Sequence, residues 1–424
     1  MRKYNKILAV VLCVLLLGVG FGAGFLTNSL INKDYEELNW VLEQIDKNYL
    51  VYDEETGEIR SLSETEYIKI LISGLKAEGF LDKYSNYYDK QGYSDLILSS
   101  KGRAYGIGVG FYKESLEIGT VAYNSPLYKA LNGVDAVGKS ITALADLNGE
   151  PVEITSYSQF KTVIANYQEG VIFNLYIDGV PYQLSKQAFV ESYVKYVDNE
   201  KTLSFVSDYG NKPTRTESPV GDSSLPADTA YIALTEFNGD AGEEFATAMH
   251  FLAERGKSKL ILDLRNNGGG YMSILSTVAS YLTDGDGGRK TTIAIAKYKD
   301  GKSETFKTDG NNYIALDKLT VMANEYSASA TECLIGALIS YNELSYDNLI
   351  VSNHGYQDGV QNTTFGKGIM QTTFPSKNDT AVKLTTAYVF WPDGSTNVHG
   401  KGIKATLENS CHYDSAYQKA IAKQ

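Results

Sequence analysis

The sequence predicts a mixed α/β protein: a membrane-spanning helix, a helical amino-terminal region, a glycine-rich β module, and a larger sheet with crossover helices. Three observations lead there. From Ala230 the chain reads YIALTEFNGDAGEEFATAMHFLAERGKSKLILDLRNNGGG. That is a strand, a turn, an amphipathic helix carrying Phe245, Met249 and Leu252, and an apolar strand from Lys259 to Leu264 ending in glycines. Alternation of this kind argues for a parallel sheet crossed by helices, whose sites gather at the carboxyl ends of strands. The stretch Leu319–Leu338, LTVMANEYSASATECLIGAL, repeats it: an apolar run to Ala323, turn chemistry at Asn324–Ser327, then an apolar helix. Between Lys33 and about Arg103, Leu38, Val41, Leu42, Ile45 and Leu50, then Ile68, Ile70, Leu71, Ile72 and Leu75, fall near helical spacing.

With 424 residues and 43% hydrophobic content the chain has room for two or three domains around a sizeable core. The net charge of −12, from 39 basic and 51 acidic residues, argues against a nucleic-acid surface. Arg2, Lys3 and Lys6 precede an uncharged run, Ile7–Leu26, long enough to cross a hydrocarbon core of about 30 Å. Positive-inside logic leaves Met1 in the cytoplasm and all after Thr27 outside. The rival is a cleaved signal peptide, favoured by the small residues Gly18, Gly20, Gly22, Ala23 and Gly24. The uncleaved anchor is preferred because the run exceeds the usual signal core of about 7–15 residues. Cys13 sits in the anchor and lacks the small residue before it that lipidation needs. Cys333 and Cys411 are either an extracytoplasmic disulfide or simply buried thiols.

Further along, Tyr105, Ile107, Val109 and Phe111 alternate with Gly106, Gly108 and Gly110, a strand with one apolar face and one of bare backbone. A dinucleotide fingerprint is excluded, because the third glycine falls too early and no strand–helix unit frames it. Asp208–Thr229 is rich in Ser, Thr, Pro and Gly and reads as a surface loop or hinge. Ser329 and Glu332 have capping-box spacing ahead of the apolar helix. Ser329 is therefore either a cap or, beside unpartnered N–H groups at the positive end of the helix dipole, a nucleophile. The glycines after Arg265 read as a strand-ending turn, Asp263 and Arg265 as structural ion partners, and SAYQKAIAKQ as a short terminal helix.

SASATE at 327–332 followed by TFGKGIMQ at 364–371 resembles the carboxy-terminal processing proteases, also called tail-specific proteases, which use a serine–lysine dyad. LDKYSNYY at 81–88 and DLRNNGGG at 263–270 resemble further phrases of that family. The resemblance implies Ser329 as nucleophile, Lys367 as general base and later acid, and Gln371 as orienter of the amine. It also implies the N–H groups of Gly269 and Ala330 as oxyanion donors. By the same resemblance residues 102–190 are a PDZ domain, in which Gly106, Ile107, Gly108 and Val109 accept a peptide's carboxyl terminus and add it as a strand. The division that follows is 1–33 tail and anchor, 34–101 helical region, 102–190 PDZ domain, 191–229 linker and hinge, and 230–424 Ser–Lys peptidase core.

Four departures stand out. Gly268 replaces the family's proline, the PDZ Gly-Asp turn is missing around Gly133, Val134 and Asp135, an aspartate is absent near Ser340, and Ala405–Thr406 replaces a closing Pro-Asp. Lys367 follows Ser329 by 38 residues (367 − 329), with the extra length read as a loop insertion in SYNELSYDNLIVSNHGYQDG.

A serine hydroxyl needs a base, and His250, His354, His399 and His412 lie in no triad-like motif. No HExxH or paired-cysteine spacing suggests a metal, and no cofactor is expected. A lysine serves only when neutral, which burial must bring about. The expected protein is an anchored extracytoplasmic serine endopeptidase acting on exported proteins or peptides near their carboxyl ends. The alternative is a PDZ scaffold with an idle core.

Overall fold

The computed structural model describes residues 36–48, 51–52, 59–60, 62–206, 212–285, 287, 290–310 and 312–424. The expected anchor, Ile7–Leu26, lies outside them; among the described residues no helix is long and apolar enough to cross a membrane. The chain divides into two compact units between Leu81 and Asp82. The first holds α1 (Glu36–Asn48), the paired short strands β1 (Val51–Tyr52) and β2 (Ile59–Arg60), and α2 (Glu64–Ala77). Helix α2 starts with a capping box: Ser63 N–H donates to Glu66 Oε2 at 2.8 Å and Glu66 N–H to Ser63 Oγ at 3.3 Å.

The second unit departs at once from the helical reading of 34–101. β3 (Asn86–Tyr88) is a strand that pairs antiparallel with residues 381–383. Its tyrosines favour a strand, and only a partner some 300 positions away makes one. Helix α3 (Lys90–Ser99) follows, capped by Asp89, whose Oδ1 accepts Gly92 N–H at 2.9 Å.

A small module comes next. Its elements are β4 (Arg103–Gly106), β5 (Val109–Phe111), β6 (Ile118–Val121), α4 (Pro126–Leu131), β7 (Ile141–Asp146), β8 (Val152–Glu153), α5 (Tyr157–Asn166), β9 (Ile172–Ile177), β10 (Val180–Ser185) and β11 (Gln187–Val190). Strands run β10-β9-β7-β8 in one antiparallel sheet, β5 pairs β6, and β4 pairs β11. Ile107, Ile118, Leu127, Leu144, Phe160 and Phe173 share a core of their own. The single strand expected over 105–111 is two strands, because the chain turns at Gly106 (φ +132°) and Gly108 (φ +78°). A Cβ on Gly108 would lie 2.1 Å from Ser125 Cβ, so only glycine fits there.

The large sheet is built from β12 (Val194–Asp198), β13 (Thr202–Val206), β14 (Thr214–Ser218), β15 (Thr229–Leu234), β16 (Lys259–Asp263), β19 (Lys318–Asn324), β20 (Leu349–Asn353) and β23 (Ser410–His412). Among the described residues its order is β14-β13-β12-β15-β16-β19-β20-β23. From β15 to β23 neighbours are parallel, as the alternation requires; β12–β14 form an antiparallel flank. That flank lies within 191–229, read from sequence as linker: its Ser- and Thr-rich composition belongs to an exposed edge strand, β14, as well as to loops.

Side-chain alternation divides the sheet's two faces. Leu260, Leu262, Val321, Ala323, Leu349 and Val351 pack with α6 (Ala241–Glu254), α7 (Met272–Leu282) and α8 (Ala330–Ser340). Ile261, Met322 and Ile350 pack with the terminal helix α9 (Ala416–Ala422). β20 corrects the loop-insertion reading: its LIV triplet is wholly buried in the sheet, and only the polar residues around it advertise a loop. Cys333 belongs to the first face and Cys411 to the second, so both are buried free thiols and no disulfide joins them.

A second antiparallel sheet orders β18 (Ser303–Lys307), β17 (Thr292–Tyr298), β22 (Ala381–Phe390) and β21 (Ile369–Pro375), with β3 added to the end of β22. After the turn at Pro392, Lys404 forms an isolated antiparallel bridge with Thr363.

Candidate active site

Two turns at the carboxyl ends of parallel strands are stitched together. After β19, Ser327 Oγ accepts Asn324 N–H at 2.9 Å and donates to Leu264 O at 2.7 Å, just past β16. Asn324 Oδ1 accepts Asn266 N–H at 2.9 Å, Ala328 N–H donates to Asn267 O at 3.0 Å, and Thr331 Oγ1 donates to the same carbonyl at 2.9 Å. The turn carrying Ser329 therefore lies against the glycines of 268–270. A Cβ on Gly269 (φ +104°) would stand 2.8 Å from Ser329 Cβ and 2.9 Å from Ala330 N.

Ser329 occupies the N-cap of α8 at φ +59°, ψ −117°, a conformation L-residues seldom adopt and one that clusters at functional sites. Of the capping-box pair, the hydrogen bond runs from Ser329 N–H to Glu332 Oε2 at 3.0 Å, while the Ser329 hydroxyl makes no cap hydrogen bond. Ser329 lines a cavity of about 630 Å³ together with Lys367, Gln371, Lys383, Gly268 and Gly270. None of the four histidines lines it, and His354 is engaged with Glu325, Nδ1 to Oε1 at 2.9 Å.

Lys367 is held from two sides. Its flanking glycines permit close approach: a Cβ on Gly366 would meet Gly402 N at 2.8 Å, and one on Gly368 would meet His399 N at 2.7 Å. Its own N–H donates to Glu332 Oε2 at 2.8 Å. Nζ stands 4.8 Å from the centre of the Tyr84 ring, and no hydrogen bond joins it to Ser329. Burial pushes the ammonium below the ordinary lysine range and the charge of Lys383 pushes the same way, against Asp82 and Glu332. Gln371, on β21, donates from Nε2 to Thr385 Oγ1 at 3.0 Å and makes no contact of that kind with Lys367.

The expected oxyanion pair is half available. Ala330 is the first residue of α8, where N–H groups lack intrahelical partners. Gly269 N–H instead donates to Asn267 Oδ1 at 2.9 Å, because the turn brings that side chain back beneath it. Asp263 and Arg265 form the expected ion pair at 2.6 Å.

Sequence reasoning missed the residue that ties the Ser329 turn to the Lys367 loop. Glu332 is fully buried and takes four hydrogen bonds: Ser329 N–H and Lys367 N–H on Oε2, Gly366 N–H at 2.8 Å and Thr364 Oγ1–H at 2.6 Å on Oε1. Burial raises its carboxyl pKa while the four donors pull it down. The capping-box spacing was the only local signal, and it points to the helix alone. Asp82, Tyr84 and Ser85, from the LDKYSNYY phrase, were missed as well. Asp82 Oδ1 accepts Ser85 Oγ–H at 3.0 Å, Ser85 Oγ accepts Thr385 N–H at 3.3 Å, and Tyr84 underlies Lys367.

The residues expected to capture a peptide lie elsewhere. Gly106, Ile107, Gly108 and Val109 line a groove of about 460 Å³ with Phe160 and Ile164 of α5. Among the described residues no group of His, Cys, Asp and Glu is arranged to hold a metal.

The model of Peptidase family S41 matches residues 228–345 and 351–409. Probable CtpA-like serine proteases of Staphylococcus aureus (strain COL) and Staphylococcus haemolyticus (strain JCSC1435) are 32% and 31% identical to this chain over 173 residues, 41% of this chain and 32% of theirs. The chain thus spans about a third of the length of the curated relatives it matches. Among solved structures, the photosystem II D1 C-terminal processing protease is 19% identical, with a TM-score of 0.48 over 86% of this chain and 85% of that one.

Proposed function

From the match of residues 228–345 and 351–409 to the model of Peptidase family S41, we propose that the protein is a serine endopeptidase of the carboxy-terminal processing type. Ser329 Oγ attacks the scissile carbonyl as neutral Lys367 takes its proton, giving a tetrahedral oxyanion beside Ala330 N–H. Lys367 then protonates the departing amine, leaving an acyl-enzyme that water hydrolyses with Lys367 again as base. Gln371 Oε1 is the group that orients the amine. Gly269 N–H joins the oxyanion hole once substrate displaces Asn267 from it. One observation carries this reading: the unbonded Ser329 hydroxyl and the desolvated Lys367 line one cavity, their backbones tied to the same carboxylate.

The small module, in this reading a PDZ domain, takes the substrate's carboxyl terminus along Gly106–Val109, and the segment Ile7–Leu26 anchors the chain with its catalytic part outside the cytoplasm. The rival, a peptide-binding scaffold with an idle core, has two observations on its side: Gly269 N–H is occupied and no hydrogen bond joins Ser329 to Lys367. Casein digestion by the full chain decides between them. Cleavage lost in Ser329→Ala and in Lys367→Ala is the expected result; equal cleavage by all three, or none by any, defeats the peptidase reading.

A further inference from the structure

A second cavity, of about 280 Å³, lies between the small module and the large sheet, on the face of β12 and β15 away from α6–α8. Lys195 and Tyr231 reach it from the sheet, Tyr123, Tyr128 and Asp135 from the module, and Arg265 from the end of β16. Its charges are unevenly matched. Arg265 is neutralised by Asp263, with Nε 3.0 and 3.1 Å from the two carboxylate oxygens, and is stacked over Tyr413 at 4.5 Å. Tyr231 OH donates to the same carboxylate at 2.8 Å. Lys195 has no such partner: among the described residues its ammonium makes neither ion pair nor hydrogen bond. Asp135, the acid nearest in effect, makes no ion pair with it and uses Oδ1 to accept Val137 N–H at 3.0 Å. The Tyr123 and Tyr128 hydroxyls also make no hydrogen bond, although their rings pack edge to face at 5.3 Å.

A half-buried ammonium without a counter-charge is costly, and lysines withdrawn from water are ordinarily paired. Here burial holds Lys195 below the ordinary lysine range, as an unpaired cation requires. One cation and two hydroxyl donors, none engaged, make a site that lacks an acceptor. The acceptor should carry a single charge, because Asp135 and Asp263 also face the space and repel a dianion. Leu131, Val121 and the tyrosine rings supply an apolar wall, and the volume is just under the roughly 300–1,000 Å³ of pockets for drug-sized ligands. We propose that this cavity binds a small organic carboxylate, held by Lys195, Tyr123 and Tyr128, separately from the catalytic cavity and the peptide groove. A ligand there bridges the module to the large sheet.

The test uses the full chain carrying Ser329→Ala, so that proteolysis does not intrude, and calorimetric titration with N-acetylalanine, N-acetylalanine amide, inorganic phosphate, and a hexapeptide ending in alanine. N-acetylalanine should bind, and its amide and phosphate at least tenfold more weakly. Lys195→Gln should weaken N-acetylalanine more than tenfold, since it removes a charge-assisted hydrogen bond to the carboxylate. Tyr128→Phe should weaken it severalfold and serves should Lys195→Gln fail to fold. Lys195→Met should melt no lower than the parent without ligand. Binding of the hexapeptide as well assigns the site to chain termini; its exclusion assigns the site to free acids. Absence of N-acetylalanine binding, equal binding by the amide or phosphate, or binding unaltered in both Lys195→Gln and Tyr128→Phe overturns the proposal. None of these outcomes bears on Ser329 and Lys367, so this site and the peptidase reading fail independently.

Discussion

Replacing Glu332 by glutamine tests whether one carboxylate holds Ser329 and Lys367 in register. The change keeps the shape and removes one acceptor. In the gentlest arrangement the new amide nitrogen takes the Oε1 position, where Thr364 Oγ can turn to accept from it. Thr364 Oγ already accepts Ile403 N–H at 2.7 Å, so that oxygen is then fully used. Gly366 N–H loses its acceptor, and Ser329 N–H and Lys367 N–H face a neutral carbonyl in place of a carboxylate. One orphaned buried donor costs about 1–3 kcal/mol and the weakening of two charge-assisted bonds about 1 kcal/mol each. Relief of the buried charge offsets part of this, leaving roughly 2–4 kcal/mol. Urea unfolding, extrapolated linearly, measures the loss. Because the Lys367 loop is freed from the Ser329 turn, casein cleavage should, on the proposed mechanism, fall on the order of 10²-fold, the effect of about 1 Å of misplacement. A variant within about 0.5 kcal/mol of the parent that still cleaves at near-parent rate would refute the clamp.

Other outcomes follow from the same geometry. Cleavage should fall on the acid side as Lys367 gains its proton; Lys383→Met, by removing a like charge that depresses Lys367, should move that limb to higher pH, and an unmoved limb contradicts the coupling. Gly269→Ala places a Cβ 2.8 Å from Ser329 Cβ in a positive-φ conformation and should lower stability by about 1–3 kcal/mol and abolish cleavage, both read from melting curves and casein assays. Burial, with Glu236 and Glu244 nearby, raises the Glu191 pKa from 4.5 to about 7. The folded state then holds a proton that the unfolded state releases earlier, so stability falls as pH rises from 4.5 to 7, by about 3 kcal/mol in all. Glu191→Gln should remove this slope, which urea titrations at pH 5 and pH 8 would detect.

Much was legible along the chain because local periodicity reports burial. The apolar run Leu319–Ala323, the turn after it and the helix from Ala330 each follow from residues within one or two turns of one another. The motif around Ser329 and that around Lys367 needed only their own neighbours to be noticed. Partnership was another matter. β20 hides three buried apolar residues inside a polar stretch, and β12 lies in what reads as linker, because a strand is made by the neighbours it pairs with, and these, β15 for β12 and β19 and β23 for β20, lie far along the chain. Glu332 reads locally as a helix cap; only folding brings Thr364 and Gly366 to its other oxygen and Lys367 N–H to the oxygen that already accepts Ser329 N–H. The unpaired Lys195 is invisible in sequence for the same reason, since whether a cation has a counter-charge depends on which distant side chains share its cavity.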